Sequence, residues 1–154
     1  MNKVYKHRSM ASDEFLGRVD ADGRVYESRL GPDKYIGRVE LETGRIYESR
    51  VGPDKVLGRV DAESGKVYLS KFGPDEYLGR VNQDGKLYLH KSLAADQYMG
   101  RVEELASLVH GGGAFLLLVV PAYSEEEQAA QERLEAKNDD EAEAPDAGEA
   151  AAPA

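Results

Sequence analysis

The chain has 154 residues, no cysteine, no tryptophan and a net charge of −9 at pH 7. Without cysteine it has no disulfide, no thiolate metal site and no thiol nucleophile. From Tyr123 onward eleven acidic residues face only Arg133 and Lys137, so the tail carries the whole excess over a charge-balanced body, which argues against nucleic acid as a partner.

The N-terminal Met-Asn-Lys-Val-Tyr-Lys-His-Arg has no apolar stretch behind its basic residues, so no signal peptide is expected. The longest apolar run, Ala114 to Val120, falls well short of the roughly 20 residues of a membrane span. These features lead us to expect a cytoplasmic chain with no membrane contact.

From residue 2 to about 105 the chain repeats itself with a period of about 21 residues. Gly-Arg-Val recurs at 17–19, 37–39, 58–60, 79–81 and 100–102. An aliphatic-Tyr pair recurs at Val4-Tyr5, Val25-Tyr26, Ile46-Tyr47, Val67-Tyr68 and Leu87-Tyr88. Between the two lies Gly31-Pro32-Asp33, Gly52-Pro53-Asp54 or Gly73-Pro74-Asp75, degraded to Ala11-Ser12-Asp13 and Ala94-Ala95-Asp96 in the outer copies. The five copies run over about 2–22, 23–43, 44–64, 65–84 and 85–105.

Each copy predicts two short strands. Pro presets φ for a turn and Asp favours the next position, so Gly-Pro-Asp reverses the chain. The other connection ends in Gly23, Gly44, Gly65 or Gly85, supplying the positive φ of a hairpin loop. Strict alternation would place Tyr35, Gly37 and Val39 on one face and Ile36 and Arg38 on the other. Glycine in mid-strand needs a reason. The expected one is a cross-strand ring: Tyr26, Tyr47, Tyr68 and Tyr88 lying over the Gly-Arg-Val glycines. The fold class is thus all-β: five tandem hairpin repeats in an antiparallel array. Pairing of the Val4-Tyr5 strand with Gly100-Arg101-Val102 would close it into a ring, whereas an open sheet would leave two edges.

The aliphatic-Tyr, Gly-Pro-Asp, [Ile/Leu]-Gly-Arg-Val and Asp-Gly pattern resembles the bacterial four-fold β-flower type of repeat domain over roughly residues 2–105. The resemblance implies hairpin units around a central axis and no assigned activity. Five copies stand here where that name implies four.

After the repeats, a short helix is predicted over Val102 to His110, broken by Gly111-Gly112-Gly113. Ala114 to Val120 is expected to be a buried apolar strand plugging or crossing the array, the alternative being a segment that docks a partner or a second copy. The repeat domain would span 2–122 and the acidic tail 123–154. Ser124-Glu125-Glu126-Glu127 has a capping-box pattern and predicts a helix over 124–137, with disorder from Asn138 on. The tail is either solubilising or an arm that binds a basic partner or competes for the body's arginines.

For chemistry, the five equivalent arginines Arg18, Arg38, Arg59, Arg80 and Arg101 form the candidate ligand site. In a ring they would project together and hold an anion. The competing reading pairs each with nearby carboxylates, such as Asp20, Glu40 and Asp61, or cross-strand Glu27 and Glu48. His7 and His90 occupy matching positions where the middle copies carry Ser28, Ser49 and Ser70, too few ligands for a metal. His110 points to nothing. No metal, cofactor or catalytic residue is expected, because equivalent repeats do not converge dissimilar groups on one place. The expectation is therefore no enzyme but a structural or interaction module with a protein partner or its own copies, or else a binder of an anion or glycan.

Overall fold

A computed structural model describes residues 2–137 in full, and the helical backbone on to Ala151. The strands are β1 Asn2–Lys6, β2 Glu14–Val19, β3 Arg24–Glu27, β4 Lys34–Val39 and β5 Arg45–Glu48. They continue as β6 Lys55–Val60, β7 Lys66–Leu69, β8 Glu76–Val81, β9 Lys86–Leu89 and β10 Gln97–Val102. Each pairs antiparallel with its chain neighbours, and β1 pairs with β10, so the repeats close into a ten-stranded barrel. The seam joins Val4 to Val102, Tyr5 to Arg101 and Lys6 to Gly100, the pairing expected of a closed ring. No strand edge is left within the sheet.

One apolar residue from every strand points inward, and these residues pair in register: Val4 with Val102, Val19 with Val25, Val39 with Ile46, Val60 with Val67, Val81 with Leu87. All are at most 3% exposed, so each contributes roughly 1.5–3 kcal/mol of apolar burial. The loops ending in glycine close one end of the barrel, with Gly23, Gly44, Gly65 and Gly85 at φ between 77° and 92°, as the turn chemistry requires. The loops carrying Gly-Pro-Asp or its degraded form close the other.

Alternation within the strands fails at one residue per repeat. Val25 faces Gly37 but Tyr26 faces Tyr35, so Ile36 is bulged. Leu16, Leu57, Leu78 and Met99 are bulged likewise. A bulge inserts one residue and flips what precedes it to the other face. Tyr35 therefore joins Arg38 outside rather than Gly37 inside, and its ring meets that of Tyr26 with centroids 5.7 Å apart.

The expected tyrosine cover over the glycines is also overturned. A Cβ on Gly17, Gly58 or Gly79 would stand 2.0 Å from the carbonyl oxygen of Tyr26, Tyr68 or Tyr88, with 2.3 Å at Gly37 and 2.1 Å at Gly100. The neighbouring backbone, not a ring, excludes a side chain.

The lumen is filled by the chain itself. Helix α1 (Leu108–Ala114) runs into a π-helical turn (Phe115–Val119) and then into α2 (Val120–Ala151). Val109 to Val119 are buried throughout. This corrects two expectations: the apolar segment Ala114–Val120 is helical, not a strand, and the triple glycine lies inside a helix instead of breaking one. The helix also starts at Leu108, where Ser107 caps it, and not at Val102, which ends β10.

The physical reason is the bore. Cβ atoms on Gly111, Gly112 and Gly113 would fall 2.5, 2.4 and 2.8 Å from side-chain atoms of Val81, Val60 and Val39 respectively. Successive helix residues point about 100° apart, so three glycines clear a broad arc of helix surface against three strands at once. Helicity here comes from packing, which outweighs a propensity cost of about 1 kcal/mol per glycine.

By length and mean hydropathy (1.3), Leu108–Lys137 also contains a stretch of membrane-crossing composition, which the count of consecutive apolar residues missed; 61% of that stretch is buried in the protein. The chain divides into two compact units, Met1–Pro121 and Ala122–Ala154. Ser124 lies within α2 instead of capping it. The disorder expected from Asn138 on falls outside the fully described residues.

Candidate functional site

The five predicted arginines follow inward-facing glycines, so they stand on the outer wall, one on each even-numbered strand. Each guanidinium lies over the ring of the tyrosine opposite it in register: Arg18 over Tyr26, Arg38 over Tyr47, Arg59 over Tyr68, Arg80 over Tyr88 and Arg101 over Tyr5, at 4.1–4.4 Å. Each also reaches the turn aspartate of the following repeat. Arg18 meets Asp33 at 3.0 Å, Arg59 meets Asp75 at 2.9 Å and Arg38 meets Asp54 at 3.6 Å. Arg80 pairs with Asp96, and Arg101 with Asp13 at 3.2 Å, which carries the pattern across the seam.

Closure thus arranges the arginines as a girdle around the barrel and does not converge them on one centre. Carboxylates do pair with them, but mostly not those nearest in sequence. Of the pairs two residues on, Arg38–Glu40 (3.5 Å) and Arg101–Glu103 (2.8 Å) form. Glu27 and Glu48 bind Arg29 and Arg50 instead. Asp20 and Asp61 brace their own loops. Backbone N–H groups of Glu63 and Ser64 donate to Asp61, holding its carboxyl below the usual range. The sequence signal for the arginine partners was present in the turn aspartates, whose position was already accounted for by turn chemistry.

On its other side each arginine faces a second cation directly: Lys3 opposite Arg18, Arg24 opposite Arg38, Arg45 opposite Arg59, Lys66 opposite Arg80, Lys86 opposite Arg101. Like charges opposed across strands cost stability, so the aspartates and tyrosine faces offset a repulsion built into every repeat. The flanking phenols are not activated: burial first, then the charge of Asp54, pushes Tyr35 above its ordinary value, and Tyr77 and Tyr98 follow, burial again leading.

His7 and His90 face the turn aspartates of their own copies, Asp13 and Asp96, each at 3.4 Å. Among the described residues no three His, Asp or Glu side chains gather as a metal set.

Three features escaped sequence reasoning. His110, dismissed there, is buried and anchors the plug. Its Nδ1 lies 2.7 Å from Ser107 Oγ, and Nε2 lies 3.0 Å from the Ala21 carbonyl, so the Nε2–H tautomer satisfies both contacts. Buried Asn2 holds the segment before the plug, donating to the Glu104 carbonyl and accepting from the Ala106 N–H at 3.2 Å. Lys6 is 5% exposed, in a column that carries Glu27, Glu48, Leu69 and Leu89 in the other copies.

Comparison with family models, curated proteins and solved structures finds no match to this chain.

Proposed function

We propose that the chain is a non-enzymatic structural or protein-interaction module of the cytoplasm, presenting its repeated outer surfaces to a protein partner or to its own copies. The observation that carries this reading is the filled lumen. A small barrel can hold one small ligand in its lumen, and here Phe115 to Val119 occupy that space. The exterior remains open to recognition, and there the Arg-over-Tyr stack with its turn aspartate occurs five times. The likeness to β-flower repeats rests on the motif alone and adds an architecture without an activity.

Native mass spectrometry of the full chain tests the reading. Integer multiples of the chain mass, or retention of a stoichiometric protein partner from host lysate, is the expected outcome. A strictly monomeric chain that retrieves nothing would sink it.

A second reading has its own support in the five opposed cation pairs, which favour an anion or a glycan bound along the wall through Arg and Tyr. In a thermal-shift screen such a ligand would raise the melting temperature, and Arg38→Ala would reduce that rise. A flat response across anions and sugars counts against it.

A further inference from the structure

At the barrel end closed by the Gly-Pro-Asp-type loops, every loop carries one large apolar residue at its tip, three positions before the turn aspartate. Met10, Leu30, Val51, Phe72 and Leu93 are 96–111% exposed, as open as residues in an extended chain. A single exposed leucine needs no explanation. Five at one repeat position, on five loops around one rim, do. Nothing inside the fold asks for them: a Cβ on the adjacent Gly31, Gly52 or Gly73 would meet nothing within 4 Å.

We propose that this rim docks on a lipid bilayer, the five tips entering the interfacial region together. This goes beyond the proposed function and does not rest on it, and it departs from the composition-based expectation of no membrane contact. Two observations favour a bilayer over a second copy or a folded partner. First, the apolar class is kept while the shape is not: Met, Leu, Val, Phe and Leu share hydrophobicity and little else. Packing against a protein requires shape complementarity, whereas burial in a fluid apolar medium is non-directional and proportional to area. Second, each tip has a cation within two residues, Arg8, Arg29, Arg50, Lys71 and Lys91. Four of these lean on a glutamate, Glu14, Glu27, Glu48 and Glu76 in turn. Charges of both signs therefore ring the apolar tips, complementing the phosphates and cations of a headgroup layer.

The absence of tryptophan from the chain makes the test direct. Phe72→Trp places a single indole at one tip, and Val56→Trp places one on the wall, in a column that elsewhere holds Phe15, Tyr35, Tyr77 and Tyr98. Both full-length variants are titrated with phosphatidylcholine vesicles, with and without phosphatidylglycerol. The proposal expects a blue shift at position 72, quenched by brominated acyl chains, and no shift at position 56. The cations beside the tips are mostly paired with glutamates, so the apolar tips must supply the attraction and the signal must persist at high salt. Replacing the exposed Leu30, Val51 and Leu93 by Ser should leave the melting temperature unchanged and lower vesicle affinity by about tenfold per tip. No shift with either vesicle overturns the proposal. So does a signal lost in salt, or a shift that grows with protein concentration without lipid, which would mark the rim as a contact between copies.

Discussion

The glycine and arginine of Gly-Arg-Val are adjacent, yet opposite constraints fix them. Gly79 is set by steric exclusion: its Cβ would meet the Tyr88 carbonyl oxygen at 2.0 Å and the Leu89 Cα at 3.1 Å, both backbone atoms that cannot turn aside. Gly79→Ala should therefore destabilise by about 1–3 kcal/mol, the usual cost of overpacking, measured by urea unfolding. Tyr88→Leu should not relieve it, because the obstruction is the carbonyl; relief would restore the ring-over-glycine picture. Arg59 is instead set by attraction and remains 46% exposed. Solvent screens its pairing with Asp75, so a double-mutant cycle on Arg59→Ala and Asp75→Ala should give a coupling of no more than about 1 kcal/mol. A markedly larger value would mean that the girdle acts as a coupled network.

At the scale of the element, the plug helix depends on small residues where it passes Val81, Val60 and Val39. Gly112→Ala sets two effects against each other. Alanine improves helix propensity by about 1 kcal/mol, while its Cβ would lie 2.4 Å from the Val60 Cβ on a strand that cannot move without opening the ring. The clash should win, lowering the thermal midpoint measured by circular dichroism, and Val60→Ala in the same chain should recover only part of the loss, because it removes the methyls at 2.6 and 2.7 Å but keeps the Cβ. Stabilisation by Gly112→Ala would show that the helix can slide. Losing the cap should act at the other end of α1, since the Ser107 hydroxyl accepts the His110 N–H and meets its ring. Ser107→Ala should cost about 1 kcal/mol for the cap, with a further penalty for the buried imidazole nitrogen it leaves unpaired. These contacts mark the limit of what the sequence discloses. The strands and turns were legible because local residues dictate them: Gly23, Gly44, Gly65 and Gly85 supply the positive φ their loops need whichever residue precedes them. The helix through Gly111-Gly112-Gly113 was not, because local propensity argues against it and only the bore of a barrel not yet assembled argues for it. The bulges at Ile36 and its counterparts were hidden for a related reason: an extra residue is defined by the register of two strands, never by one.

The unit Met1–Pro121 is a closed ring with the segment Val109–Val119 filling its lumen, so its parts are mutually dependent. The hairpins form from local contacts, but the β1–β10 seam joins residues nearly a hundred positions apart, and that loop must close before the seam contributes anything. The plug packs against β1 on one side of the seam, and Asn2 at the start of β1 grips Glu104 and Ala106 at the entrance to the plug. Seam and plug should therefore form and break together. In an open array the amides of β1 would exchange by fraying at a free edge. In the closed barrel they should exchange only when the barrel opens. Hydrogen exchange followed by mass spectrometry should thus protect the peptide covering Asn2–Lys6 as strongly as the strands Arg45–Glu48 and Lys55–Val60 in the middle of the array, with the Gly-Pro-Asp loops exchanging fast. Unfolding of the barrel unit should then be a single transition, with tyrosine near-UV signal and strand far-UV signal falling together. Early exchange confined to β1 would make the seam a gate through which the plug could leave. Equal protection would make plug and barrel one cooperative unit, leaving the rim and the outer wall as the surfaces free to act.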